Sequence, residues 1–234
     1  MKSTVEAVFF DMGGTLVYDT GFQELLGKRL ASFVEKHYQI LLSDKEALEL
    51  WKETAILPGD LEAWDLVRAM FFLRRLGVTP KPEAVEKLYS EVLESYVEGF
   101  RLDPEALHVI DALSSKGIKI GIISNVGSYE ILSRRLREAG VMKYIDVIVA
   151  SQAFAFKKPS PQIFFWASYL IGAEPSKCVH VGDDPIADIE GAKSAGFRTI
   201  QVLKYARGDS KSADALVQTI GDVIHVIERW LNSP

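Results

Sequence analysis

The chain has 234 residues, 48% of them hydrophobic and 25% charged, with a formal net charge of −5. That is ordinary globular composition, and no apolar run approaches the roughly 18 residues a membrane-spanning helix requires, so no membrane partner is expected. The acidic balance and the lack of a basic stripe argue against nucleic acid as a partner, and the single cysteine, Cys178, excludes intrachain disulfides and makes a cysteine-based zinc site implausible.

Met1-Lys2-Ser3-Thr4 passes straight into the first strand and leaves no room for the apolar core of a signal peptide, so a cytoplasmic location is expected. Ala7 to Phe10 is a continuous apolar run of the kind a strand buried on both faces needs, and it ends in Asp11-Met12-Gly13-Gly14-Thr15-Leu16. A carboxylate directly after such a strand lies at the sheet edge, where open α/β sheets hold their ligands, and paired glycines let the backbone turn tightly there. Asp11 is therefore a candidate nucleophile or metal ligand; the plainer alternative is a strand followed by a turn.

After Leu16 the periodicity becomes helical. Phe22, Leu25, Leu26, Leu30, Phe33 and Val34 predict a helix over residues 21–37, and Ser43-Asp44 caps a second from Lys45 to about Ala55. A Pro58-Gly59 turn precedes a third from Asp60 to about Leu76, and Val85, Leu88, Tyr89, Val92, Leu93 and Tyr96 mark a fourth. Consecutive helices without strands do not extend a parallel sheet, so residues 19–101 read as a helical unit inserted after the first strand and capping its crevice.

From Asp103 strands and helices alternate, which predicts βα units with right-handed crossovers built from residues 1–18 and 102–234. A helix from Asp103-Pro104 to Lys116 leads to a strand from Ile118 to Ile123, a helix from Ser128 to Ala139 and a strand from Ile145 to Ala150. A helix from Pro161 to Ile171, a strand from Lys177 to Val181, a helix from Pro185 to Ala195 and a strand from Arg198 to Leu203 follow. Leu216 and Val217 suggest a short edge strand, Gly221 to Leu231 a last helix, and Ala206 to Ala213 a polar loop.

The strand ends carry chemistry. Ser124-Asn125 and Gly127-Ser128 put a hydroxyl and free N–H groups at a helix N-terminus, an anion site, although Ser128 is as readily a plain N-cap. Pro159 and Pro161 stiffen the loop Lys157-Lys158-Pro159-Ser160-Pro161, so a lysine there can be held fixed to neutralise a phosphate and the carboxylate beside it. Gly182-Asp183-Asp184, with Asp188 five residues past Asp183, gathers carboxylates that repel one another unless a cation sits among them. Oxygen-only ligands suit magnesium, with Asp11 and Asp183 as the pair; the alternative has Asp183 and Asp184 capping the following helix, with Asp188 on its first turn. His37, His108, His180 and His225 show no paired metal spacing, and His180 is expected to face a helix layer.

Asp11-x-x-Gly-Thr-Leu, Ser124-Asn125, Lys158-Pro-x-Pro and Gly182-Asp183 through Asp188 resemble the four ordered motifs of the haloacid dehalogenase superfamily. The resemblance implies an α/β Rossmann-like core with a parallel sheet and an inserted α-helical cap. It also implies a magnesium-dependent hydrolase that cleaves a small phosphorylated metabolite through an aspartyl-phosphate on Asp11. On that likeness Thr15, Ser124 and Asn125 hold the substrate's phosphoryl group, Lys158 neutralises charge, and Asp11, the backbone oxygen of Gly13 and Asp183 bind the metal. Asp184 and Asp188 orient that shell.

One position departs from the pattern. Phosphatases of this kind carry a second Asp two residues after the nucleophile as general acid and base, and here that place is Gly13. Such groups contribute about 10²–10⁴-fold, so weakened turnover on alkyl phosphates is expected. Members that cleave carbon–halogen bonds also lack this Asp, which makes a 2-haloacid dehalogenase the first alternative, although they lack the acidic cluster seen at Asp183-Asp184. A catalytically weak binding or interaction protein is the second, and phosphonate cleavage a weaker third. Periodicity specifies neither the substrate nor an oligomeric state.

Overall fold

The computed structural model describes residues 5–55 and 61–232. Six parallel strands form one sheet in the order β5-β4-β1-β6-β7-β8, with β1 (Ala7–Phe10), β4 (Lys119–Ser124), β5 (Val147–Ala150), β6 (Cys178–Gly182), β7 (Arg198–Val202) and β8 (Ala215–Val217). β1 lies inside the sheet because all four of its side chains are apolar and buried. Val8 and Phe10 enter an apolar cluster on one face, while Ala7 and Phe9 enter a second cluster on the other, as the two-residue period of a strand requires.

Helices cover both faces. α5 (Ala106–Ser114), α6 (Tyr129–Glu138) and α10 (Val223–Asn232) bury Val109, Ile110, Ile131, Leu132, Val226 and Ile227 with Val8 and Phe10. α8 (Pro161–Ile171) buries Ile163, Phe164 and Ala167 with Ala7 and Phe9. Two single-turn helices, α7 (Ser151–Phe154) and α9 (Gly191–Ser194), complete this layer. Each burial removes apolar area from water at roughly 25 cal/mol per Å².

Between β1 and α5 the described residues form β2 (Val17–Asp19), four helices and β3 (Phe100–Leu102). The helices are α1 (Phe22–Tyr38), α2 (Asp44–Glu53), α3 (Asp65–Arg75) and α4 (Pro82–Gly99), and they share an apolar cluster of their own around Leu30, Trp51, Phe72 and Leu88. β2 and β3 pair antiparallel, Val17 opposite Leu102 and Asp19 opposite Phe100. These three-residue strands are too short to announce themselves by periodicity.

Three elements differ from their predicted form. The Pro58-Gly59 turn and Asp60 lie outside the described residues, and α3 starts at Asp65, because the preceding residues are engaged elsewhere: Leu61 bridges Phe156, Glu62 N–H donates to Ala155 O at 3.0 Å and Asp65 N–H to Gly127 O at 2.8 Å. The helix expected from Asp103-Pro104 begins only at Ala106, since Asp103 Oδ1 accepts from the Glu105 N–H in a turn. The helix expected over residues 185–195 opens instead as a π-type turn, Pro185–Glu190, and becomes α-helical only at Gly191.

Register explains which strand ends meet. Phe10 stands beside Ile122 of β4 on one side and Val181 of β6 on the other, so Asp11, Ser124 and Asp183 emerge at one edge. The chain winds from β1 through β4 to β5 and then crosses back to β6, a reversal that opens a crevice at the carboxyl ends of the strands.

Candidate active site

Asp11, Gly13, Ser124, Asn125, Lys158, Asp183, Asp184 and Asp188 line one cavity of about 380 Å³ at this edge. Lys158 is its hub. The side chain is 3% exposed, and Nζ donates to Asp11 Oδ1 at 2.6 Å, Asp188 Oδ1 at 2.5 Å and Ile123 O at 3.1 Å. Burial alone would push the ammonium's pKa down, but the two carboxylates outweigh it and hold it above the ordinary lysine value.

Asp188 is fixed from four directions. Besides Lys158, His180 Nε2 lies 3.0 Å from Oδ1, and the N–H groups of Asp183 and Asp184 donate to Oδ2 at 3.1 and 3.0 Å. Burial would raise its pKa; Lys158 and His180 overcome that and hold the carboxyl well below the usual range. The π-type turn brings it back beneath the strand end, where a side chain at Gly182 would lie 2.2 Å from the Asp188 carboxyl carbon. Gly14, at φ +79°, is required likewise: a Cβ there would meet the Asp183 carboxylate at 2.4 Å.

Asp11 is buried at the strand end, and burial raises its pKa, opposed by Lys158 and assisted by Asp188. Asp183 is pushed up to about 7 by burial and by the charges of Asp11 and Asp188. Oxygens of Asp11, Asp183 and Asp188 can approach within 4.8 Å of one another. Asp188 already accepts from four donors, whereas the Asp11 side chain accepts from Lys158 through Oδ1 alone among the described residues, so Asp11 and Asp183 are the pair with oxygens left for a cation. A hard divalent cation suits this donor set: it needs oxygen ligands and relieves the repulsion that lifts Asp183.

The remaining expected residues fall in varied places. Ser124 is 5% exposed and lines the cavity. Asn125 lines it too, but its amide is spent on Lys158: Oδ1 accepts from the Lys158 N–H at 2.7 Å and Nδ2 donates to the Lys158 carbonyl at 2.9 Å. Thr15 is outside the lining, its hydroxyl buried and without a partner among the described residues. Asp184 Oδ1 accepts from the N–H groups of Ile186 and Ala187, the capping alternative. Ser128 sits at the N-cap of α6 without capping it, because its hydroxyl meets Tyr89 and Glu130 instead. Gly13 is exposed, and a Cβ placed there meets nothing within 4 Å.

Two contributors had no place in the site read from the sequence. His180 packs against the ring of Phe164 as expected of a core residue, yet its Nε2 also reaches Asp188. Burial lowers its pKa, so the ring is neutral, and Nε2 carries the proton because the ionised Asp188 must accept. Gln201 is fully buried in β7; its Nε2 donates to Asp183 O at 2.9 Å and Gly208 O at 2.7 Å, and its Oε1 accepts from the Ser210 N–H at 2.7 Å. It thereby orders the loop predicted over residues 206–213 and holds Arg207 at the cavity rim. The available signal was a polar side chain inside a largely apolar buried strand, His180 in β6 and Gln201 beside Thr199 in β7.

Comparison with known proteins identifies the family. The phosphoglycolate phosphatase of Aquifex aeolicus (strain VF5) is 33% identical over 153 residues, covering 64% of this chain and 70% of that one. The glyceraldehyde 3-phosphate phosphatase of Methanothermobacter thermautotrophicus is 29% identical over 238 residues, covering 97% of this chain and 100% of that one. Among solved structures, the 2-haloacid dehalogenase of Pseudomonas syringae pv. Tomato DC3000 shares the fold with a TM-score of 0.76 at 20% identity, over 97% of this chain and 100% of that one. A family model described as haloacid dehalogenase-like hydrolase matches residues 5–196, so the chain belongs to that family.

Proposed function

We propose that the chain is a magnesium-dependent phosphatase of small phosphorylated metabolites, working through a covalent phosphoryl group on Asp11. The observation that carries this reading is the shared Lys158 ammonium, 2.6 Å from Asp11 and 2.5 Å from Asp188, at the end of the central strand. An Asp11 oxygen attacks phosphorus and the bond from phosphorus to the ester oxygen breaks. Water then attacks the phosphorus, releasing inorganic phosphate and regenerating the carboxylate. Lys158 offsets negative charge that accumulates on the phosphoryl oxygens, and Ser124 offers them a hydroxyl. Asp188 keeps Lys158 in place without itself touching substrate.

Asp11, Asp183 and the carbonyl of Gly13 would hold the magnesium ion, which supplies a concentrated positive charge for the phosphoryl oxygens when bound. The helical unit 19–101 serves as the cap over the crevice, resting on the core through Leu61, Glu62 and Asp65. Relatives named as phosphoglycolate and glyceraldehyde 3-phosphate phosphatases support a small phosphorylated substrate.

The test compares p-nitrophenyl phosphate with magnesium and 2-chloropropionate without it. An aryl leaving group needs no proton, so magnesium-dependent nitrophenol release is expected, falling by at least about 10³-fold in Asp11→Asn. Chloride release without metal, alongside no phosphate release, would select the dehalogenase reading instead.

A further inference from the structure

α8 is apolar on both of its faces. Its inner side buries Ile163, Phe164 and Ala167 against the sheet, while on its outer side Tyr169 is 75% exposed and Phe165, Trp166 and Leu170 are 46–48% exposed. A surface helix ordinarily keeps one apolar stripe and turns charges outward, as α6 does with Glu130, Arg134 and Arg137. α8 has no charged residue at all. From Val147 to Ala173 the charged residues are Lys157 and Lys158, and Lys158 is buried beside Asp11. A helix that is apolar all round is one that is covered all round.

The outer residues form a continuous surface. The rings of Trp166 and Tyr169 meet edge to face with centroids 6.1 Å apart, and the ring of Phe154, from α7, lies 6.4 Å from that of Trp166. An aromatic side chain carries about 150–250 Å² of surface, so at these exposures Phe165, Trp166 and Tyr169 alone present roughly 350–450 Å². That is about half of the roughly 800 Å² each partner contributes to a stable interface, before Leu170 and Phe154 are added.

We propose that this face is a homodimer interface, occupied by a second copy of the chain docked about a two-fold axis near Trp166. Two features favour a second copy over a different protein. Transient interfaces between different proteins are no more apolar than the surface around them and select their partner through complementary charge, which this face lacks; homodimer interfaces are the more apolar class. A chain of net charge −5 also repels its own copy where acidic faces meet, whereas an uncharged helix face that meets itself brings no like charges together. Trp166 is the middle residue of Pro161–Ile171, so an axis beside it lays the two α8 helices across each other and packs each Trp166 and Tyr169 pair against its counterpart.

The experiment reads the mass of the full chain by sedimentation velocity and by light scattering on a sizing column, over a dilution series, with thermal melts to check folding. The wild type should run as two chains of 26.1 kDa each. Tyr169→Ala should raise the dimer dissociation constant by at least about tenfold, and Trp166→Glu combined with Tyr169→Glu should give folded monomers. Leu41→Glu, at an exposed apolar position between α1 and α2, should leave the dimer intact. A monomeric wild type throughout the series overturns the proposal whatever the variants do, and would leave the face to a different protein. A dimer that survives in the folded double variant, or that Leu41→Glu weakens as much as Tyr169→Ala does, overturns it too. Should the double variant fail to fold, Tyr169→Ala decides, and an unchanged dissociation constant there overturns the proposal.

Discussion

Gly13 is the residue on which the proposed chemistry turns. Its backbone does not occupy the left-handed region, and a Cβ there meets no neighbour, so a side chain can be added without strain. Gly13→Asp should therefore raise kcat on an alkyl phosphate by about tenfold or more while changing p-nitrophenyl phosphate little, because only the alkyl leaving group needs a proton. Equal effects on both esters would mean that proton delivery does not limit the present enzyme. At this scale the sequence was informative where a residue terminates a buried strand: Asp11, Ser124 and Asp183 are charged or polar at the point where an apolar run stops, and register does the rest. It placed His180 only as a residue facing a helix layer and gave no sign of Gln201, because the roles of both depend on partners contributed by other segments.

Among elements, the loop that carries Lys158 is the clearest case of positioning. The two prolines were legible as stiffeners, but the side-chain amide of Asn125, pairing both backbone groups of Lys158, is what joins this loop to the end of β4. Asn125→Ala removes both hydrogen bonds while leaving Ser124 untouched. The expected result is a fall in kcat on the order of 10²-fold with the melting temperature shifted only by a few degrees, since the loss is one of placement. An unchanged kcat would show that Pro159 and Pro161 suffice. The segment from Pro185 to Glu190 was misjudged for a related reason: local sequence favours a regular helix, whereas Asp188 must reach the N–H groups of Asp183 and Asp184, Lys158 and His180 at once, and a wider turn allows this. The start of α3 was misplaced because Leu61 and Glu62 pair with core residues no helical period can reveal.

For the molecule as a whole, α/β layering and the insertion after β1 were readable from alternation and its interruption, because each helix or strand must bury one face. The short β2 and β3 pair was not. The gathered acids also make stability depend on pH. A carboxyl with a raised folded pKa favours its protonated form, so its stabilising contribution is complete below the unfolded value near 3.8 and is lost as pH climbs through about 7 for Asp183; Asp11 moves in the same direction. Chelator-treated protein should therefore lose melting temperature between about pH 5 and about pH 8, and magnesium, which competes with those protons, should restore more at the upper end than at the lower. Melting curves with and without magnesium across that interval check this, and an increment independent of pH would contradict it.

β2 and β3 have a consequence for how such a molecule changes over time. Everything from Thr20 to Gly99 departs from and returns to neighbouring positions of one ribbon, Asp19 facing Phe100, about 5 Å apart. Seen from the sheet, that whole excursion spans no more than a hairpin turn would, and closing a longer loop between adjacent points costs only slightly more than closing a short one. Lineages can consequently lengthen, replace or discard the excursion while the bond-breaking edge stays as it is, which makes substrate choice and chemistry separately inheritable.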